Sequence, residues 1–288
     1  MADLKDKKLR NSILNLLLIY YLAESAVFLA TARTCNFSLS FTVIFFCVQT
    51  AFFAITGVFL IFNRNLFYII KTENPSRARS LRSDQTEAPS GETLSSVNFA
   101  CRITLFRITM IPSVFFLIIA HKTYPVGKIL AFLIGLTCLS DLFDGYISRQ
   151  RNEVTFIGKI LDSSSDYLLL GTVAIAYYIH QLLPSWLFWL ILSRLLVHSL
   201  GMMILFLLRK KLIPQTTVFG KIAIAAVMIL FVFTPAKLIF PVLRYAAKFI
   251  EAGAGILIAL SLVDKGFFLV REISGILKSA KSQSGPVE

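Results

Sequence analysis

The chain has 288 residues, of which 56% are hydrophobic and only 16% charged, with a mean hydropathy of +0.74. Soluble domains average about 45–50% apolar and about 25% charged residues, so an ordinary water-soluble fold is excluded and an all-α integral membrane protein is expected. The excess of 29 Lys and Arg over 16 Asp and Glu gives a net charge of +13, which fits topogenic charge on cytoplasmic loops. No nucleic-acid surface is expected, because basic and aromatic residues do not interleave outside the apolar stretches.

In chain order, eight apolar segments are long enough to span a bilayer, at about 12–31, 41–62, 98–120, 126–148, 157–179, 185–208, 218–240 and 247–270. The first ends in Ala30-Thr31-Ala32, which resembles a signal-peptide cleavage site. Its apolar core is too long for a signal peptide and a second span follows closely, so it is read as a helix. Residues 71–96 are polar and rich in Ser, Pro and charge, which predicts a linker. The expected organisation is a two-helix transmembrane extension (1–70), this linker, a six-helix domain (97–272) and a cytoplasmic tail (273–288). Alternate loops hold 20 and 6 basic residues, which places both termini in the cytoplasm and the chain in the cell (inner) membrane. Cys35, Cys47, Cys101 and Cys138 are scattered and read as small buried residues. His121, His180 and His198 read as interfacial.

The stretch DLFDGYISRQRNEVTFIGKILDSSSD (141–166) departs from this apolar pattern. On a helix, Asp141, Asp144, Gly145 and Arg149 share one stripe at the end of the fourth span. Gly158, Asp162 and Asp166 share another at the start of the fifth. A turn around RNEVTF folds the two helices against each other, so that four carboxylates converge at the cytoplasmic face. Each charged Asp within a bilayer costs about 2.5–3.5 kcal/mol, and like charges oppose one another's ionisation. Hard divalent cations offset both effects, and two of them, about 3.5–4 Å apart, suit phosphoryl chemistry. The simpler alternative is a solvated helix end pairing with Arg149, Arg151 and Lys159.

The order Asp141-x2-Asp144-Gly145-x2-Ser148-Arg149-x8-Gly158-x3-Asp162-x3-Asp166 resembles the signature of the CDP-alcohol phosphatidyltransferases, D-x2-D-G-x2-A-R-x8-G-x3-D-x3-D, with Ser148 in place of Ala. The resemblance covers roughly residues 95–270. It implies a six-helix bundle, normally a homodimer, that uses Mg²⁺ or Mn²⁺, two ions at a time. It further implies that Asp141, Asp144, Asp162 and Asp166 bind the metals, with Asp166 also the general base. Asp141, Gly145, Arg149 and Gly158 match positions that bind the CDP donor. The implied reaction joins an alcohol to the phosphatidyl group of CDP-diacylglycerol and releases CMP.

The run Thr104-Leu105-Phe106-Arg107-x3-Ile111-Pro112 is similar to the start of phosphatidylglycerophosphate synthases, which implies glycerol 3-phosphate as the small alcohol acceptor. Asn98 and Thr104 then face the nucleotide and Arg107 a phosphate. Arg194 and Lys221 are expensive as bystanders in lipid and are candidates for the acceptor phosphate. The Gly220-Lys221-Ile222-Ala223 run differs from the G-K-x-K-T-x2-Q common among glycerophosphate users, and DSSSDY differs from their D-P-x2-D-K. Inositol phosphate, serine or phosphatidylglycerol would keep the same acids, as would CDP-choline or CDP-ethanolamine donating to diacylglycerol. A cation-coupled transporter is the reading from another class. Transporters commonly place such sites near the midplane on broken helices within repeats, whereas these acids gather at one membrane face and no repeat is evident.

Overall fold

The computed structural model of the chain describes residues 2–68, 94, 96–151, 155–209, 218–240 and 242–283. Among these, nine α-helices form and no strand does. They are α1 (Ala2–Thr34), α2 (Leu39–Phe62), α3 (Phe99–Thr109), α4 (Ile111–Ala120), α5 (Gly127–Arg151), α6 (Phe156–Ile179), α7 (Ser185–Arg209), α8 (Val218–Ile239) and α9 (Leu243–Gln283). The expected all-α membrane class is observed.

Among the described residues, four stretches are long and apolar enough to cross a bilayer: Lys5–Thr34, Leu39–Phe62, Phe99–Ala120 and Leu243–Arg271. Elsewhere the apolar runs are shorter, at Gly127–Ser140, Ser185–Gly201 and Ile222–Lys237. Helices thus occupy all eight expected positions, but composition alone marks only four. In α5 and α6 the reason is the acidic stretch, which fills the end of one and the start of the other.

The expected third span is not one rod. It breaks at Met110 into α3 and α4, with Pro112 in the first turn of α4. Proline has no N–H to give the preceding turn and its ring crowds the carbonyl four residues back, so a helix ends or bends just before it. Of the expected linker, only Leu94 and Ser96 are described. The Leu94 N–H donates to the Phe67 carbonyl (3.0 Å), and the Val97 N–H to Ser12 Oγ (3.3 Å). The start of the six-helix region is thereby tied back to the N-terminal hairpin.

The helices fall into two compact units. Of the described residues, one holds 2–68, 94, 96–151, 155–182 and 232–240, the other 183–209, 218–231 and 242–283. In the first, α1 and α2 pair with each other, α1 also packs on α3, and α2 on α4. Leu9, Ile13, Leu17, Phe53 and Leu60 of the hairpin share one buried cluster with Cys101, Leu105, Ile108, Ile157 and Leu161. Further along, Phe28, Phe45 and Phe116 pack together, with Phe28 and Phe45 stacked. Lipid is as apolar as these side chains, so what they gain is dispersion contact and shape fit, not escape from water.

In the second unit α7 packs along α9. Two glycines allow the close approach. A Cβ at Gly255 would come within 2.5 Å of the Trp186 ring, and one at Gly201 within 2.5 Å of Leu269.

Candidate active site

Helix α6 begins cleanly because Thr155 caps it. Thr155 has extended backbone (φ −97°, ψ 151°), and its Oγ1 accepts from the Gly158 N–H at 3.1 Å. This satisfies one of the amides that a helix start leaves without a partner. Gly158 must be small for that bond, since an added Cβ would stand 2.6 Å from Thr155 Oγ1. The glycine assigned to donor binding therefore also has a local structural duty. The cap fixes the rotational phase of α6, which sets where Asp162 and Asp166 point.

Both acids reach the same cation. The Arg107 Nη2 atom lies 2.8 Å from Asp162 Oδ1 and 3.4 Å from Asp166 Oδ1. Arg107 Nε donates to Ser165 Oγ at 3.0 Å, and that hydroxyl donates to the Asp162 carbonyl at 2.8 Å. Arg107 is 1% exposed and Ser165 fully buried, whereas the Asp162 side chain is 51% exposed and that of Asp166 26%. The arginine is thus the inner wall of a site whose carboxylates open outward.

Sequence reasoning gave Arg107 a substrate phosphate. The structure gives it the α6 acids. Thr104, one turn earlier and buried, bonds to the Ala100 carbonyl of its own helix (3.2 Å). Asn98 caps the start of α3, with its carbonyl accepting from the Arg102 N–H.

Asp141, Asp144, Gly145, Ser148 and Arg149 sit on the last three turns of the continuous helix α5. Their side chains lie outside the described residues, so the convergence of four carboxylates does too. Among the described residues no group of three or more metal-binding side chains occurs. The expected turn that folds the fourth and fifth spans against each other lies mostly outside the described residues. Among the described residues, α5 and α6 both pack chiefly on α3 and α4. Helix α3 is the shared template, and it carries Arg107.

The second unit holds a basic seam. Arg194, 5% exposed, donates from Nη2 to the Gly220 carbonyl (2.8 Å) and from Nε to Ser261 Oγ (3.3 Å). One turn along each helix, Lys265 Nζ donates to His198 Nδ1. His198 lies mid-way along α7 and partly buried, which corrects its reading as interfacial. His121 and His180, at the ends of α4 and α6, do sit at helix ends, with ring centroids 5.9 Å apart. The His198–Lys265 pair was missed because its members stand 67 residues apart. Its signal was present in the sequence: an ionisable residue inside an apolar helix. The side chain of Lys221 lies outside the described residues.

The family model for CDP-alcohol phosphatidyltransferase matches residues 97–262, more than half of the chain and the whole acidic signature. The chain belongs to the CDP-alcohol phosphatidyltransferase family. It is 31% identical over 190 residues to a probable phosphatidylglycerophosphate synthase of Mycobacterium tuberculosis, an alignment covering 64% of this chain and 87% of that one. It is 25% identical over 175 residues to a CDP-diacylglycerol–glycerol-3-phosphate 3-phosphatidyltransferase of Aquifex aeolicus, covering 58% and 95%. A Rickettsia bellii protein of the same description is 40% identical over 74 residues, covering 25% of this chain and two fifths of that relative's length. The family is generally metal-dependent. The hairpin α1–α2 lies outside the matched residues.

Proposed function

We propose that the chain transfers the phosphatidyl group of CDP-diacylglycerol to glycerol 3-phosphate, giving phosphatidylglycerophosphate and CMP. The observation that carries this is the pairing of Asp162 and Asp166, one turn apart on a capped helix, at a common positive centre within the family's signature. In the reaction the acceptor hydroxyl oxygen bonds to the phosphatidyl phosphorus, and the bond from that phosphorus to the CMP oxygen breaks. The hydroxyl proton passes to the Asp166 carboxylate, the base for which a nearby acid is required.

The residues present fit divalent cations. The donor set is oxygen only, as Mg²⁺ or Mn²⁺ prefers, and two of its carboxylates already share one cationic neighbour while remaining open to solvent. Asp141, Asp144, Asp162 and Asp166 would hold the ions, two by the family's pattern, and bound ions would offset charge on the pyrophosphate and the departing CMP. Gly145, Arg149 and Gly158 would bind the nucleotide. For the acceptor phosphate, Arg194 and Lys221 are joined by Lys265 and His198, since basic groups within a membrane helix call for an anionic partner. The enzyme would act as a homodimer in the inner membrane with its acids at the cytoplasmic face, as the basic-residue asymmetry supports.

The test is CMP release by purified protein in Mn²⁺ or Mg²⁺. Release is expected with CDP-diacylglycerol and glycerol 3-phosphate together, and with neither alone. Asp166→Asn should abolish it. Full turnover by that variant would remove the base assignment, and release only with another alcohol would replace the acceptor.

A further inference from the structure

Between its two acids, helix α6 carries three serines, Ser163 to Ser165. Ser164 is exposed, whereas Ser165 is fully buried. Residues 162, 165 and 166 are spaced by three and four, so the Ser165 hydroxyl shares a helix face with both carboxylates. Ser165 Oγ accepts from Arg107 Nε at 3.0 Å and from Arg107 Nη2 at 2.5 Å, and it donates to the Asp162 carbonyl at 2.8 Å. A hydroxyl has one proton to give and two lone pairs with which to accept, so this one is fully used.

A helical serine often returns its proton to a carbonyl of the preceding turn, and that bond alone would be local. Here the same oxygen also takes two contacts from another helix. The guanidinium is planar, so holding it at Nε and Nη2 fixes both its position and its plane. Its Nη2 then meets Oδ1 of Asp162 and Oδ1 of Asp166. Each carboxylate has a second oxygen with which to bind an ion.

Under the proposed function Asp162 and Asp166 hold divalent ions. A bound ion draws on the same carboxylates that hold Arg107, so their grip on the arginine weakens when the site fills. The Ser165 hydroxyl is outside the ligand set and keeps its two contacts with the guanidinium. Groups that hold the ligands of a metal orient them, and losing one commonly costs about 10–100-fold in metal affinity or activity. We infer that Ser165 is a positioning residue for metal binding: it fixes the Arg107 guanidinium against α6, and the arginine in turn presents the Asp162 and Asp166 carboxylates to the ion. This rests on the reading of those two acids as metal ligands and does not depend on which alcohol is the acceptor.

The probe is Mn²⁺ alone, titrated into the full chain in nanodiscs of zwitterionic lipid, with the electron paramagnetic resonance signal of free Mn²⁺ reporting what is unbound. Ser165→Ala should weaken Mn²⁺ binding about tenfold or more. Ser165→Thr, which keeps the hydroxyl, should stay within about threefold of wild type. In an Arg107→Met background, Ser165→Ala should change the affinity by less than about twofold, because the group it acts through is gone. In CMP release, Ser165→Ala should raise the Mn²⁺ concentration needed for half activation more than it lowers kcat at saturating Mn²⁺. Wild-type affinity in Ser165→Ala would overturn the inference. So would an equal loss with and without the guanidinium, which would make Ser165 a packing residue of α6. The titration holds no alcohol, so an acceptor other than glycerol 3-phosphate leaves its result unchanged. A wild type that binds no Mn²⁺ would overturn the metal reading and this inference together.

Discussion

Replacing Arg107 separates its charge from its shape. Arg107→Met keeps most of the stem and removes the guanidinium that joins Asp162, Asp166 and Ser165. Breaking a fully buried ion pair costs about 3–5 kcal/mol. Here the Asp162 side chain is half exposed and Asp166 a quarter exposed, so water can take up part of what the guanidinium gave. A charge-assisted hydrogen bond contributes about 1.5–3 kcal/mol, so a net loss of about 2–3 kcal/mol is expected. Thermal unfolding in detergent reads it as a drop of about 4–12 °C, at about 2–4 °C per kcal/mol for chains of comparable size. Arg107→Lys restores the charge but loses the planar guanidinium, whose Nε also donates to Ser165, and should fall between. Two variants that unfold together, or both within about 1 °C of wild type, would refute the view that the fork of this arginine organises the acids.

Three further outcomes follow from the geometry. Gly158→Ala should cost about 1 kcal/mol through loss of the Thr155 cap, and Thr155→Ala should cost the same without adding to it, as a double-mutant cycle would show. Gly255→Ala should destabilise the α7–α9 pair by about 1–3 kcal/mol, because the Trp186 ring cannot yield as the flexible tip of Leu269 can beside Gly201. Arg194→Lys should raise the KM for glycerol 3-phosphate more than it lowers kcat. An unchanged KM, with only stability lost, would leave Arg194 a brace for the Gly220 carbonyl.

What could be read in advance was whatever repeats at short range. Asp162 and Asp166 lie four residues apart, so a helix must set them on one face, and it does. The Met110 break was not read, although Ile111-Pro112 carries its own steric instruction. The partner of Arg107 was not. It stands 55 and 59 residues away on another helix, and a basic side chain near a helix end is compatible equally with a substrate phosphate and with an acid of the fold. His198 and Lys265 escaped for the same reason. Glu24, 2% exposed on α1, escaped because one acid in a long apolar run barely alters its average, although such an acid is costly in lipid and so should draw attention by itself.

The family core borrows part of its interior from outside itself. Leu105, Ile108, Ile157 and Leu161 are covered by side chains contributed before residue 68, on helices that the family alignment does not include. A shortened chain beginning at residue 97 would therefore present lipid with a face shaped to receive protein, and Cys101 with it. Trimming to the boundary of the family match would remove a wall of the enzyme, not an ornament.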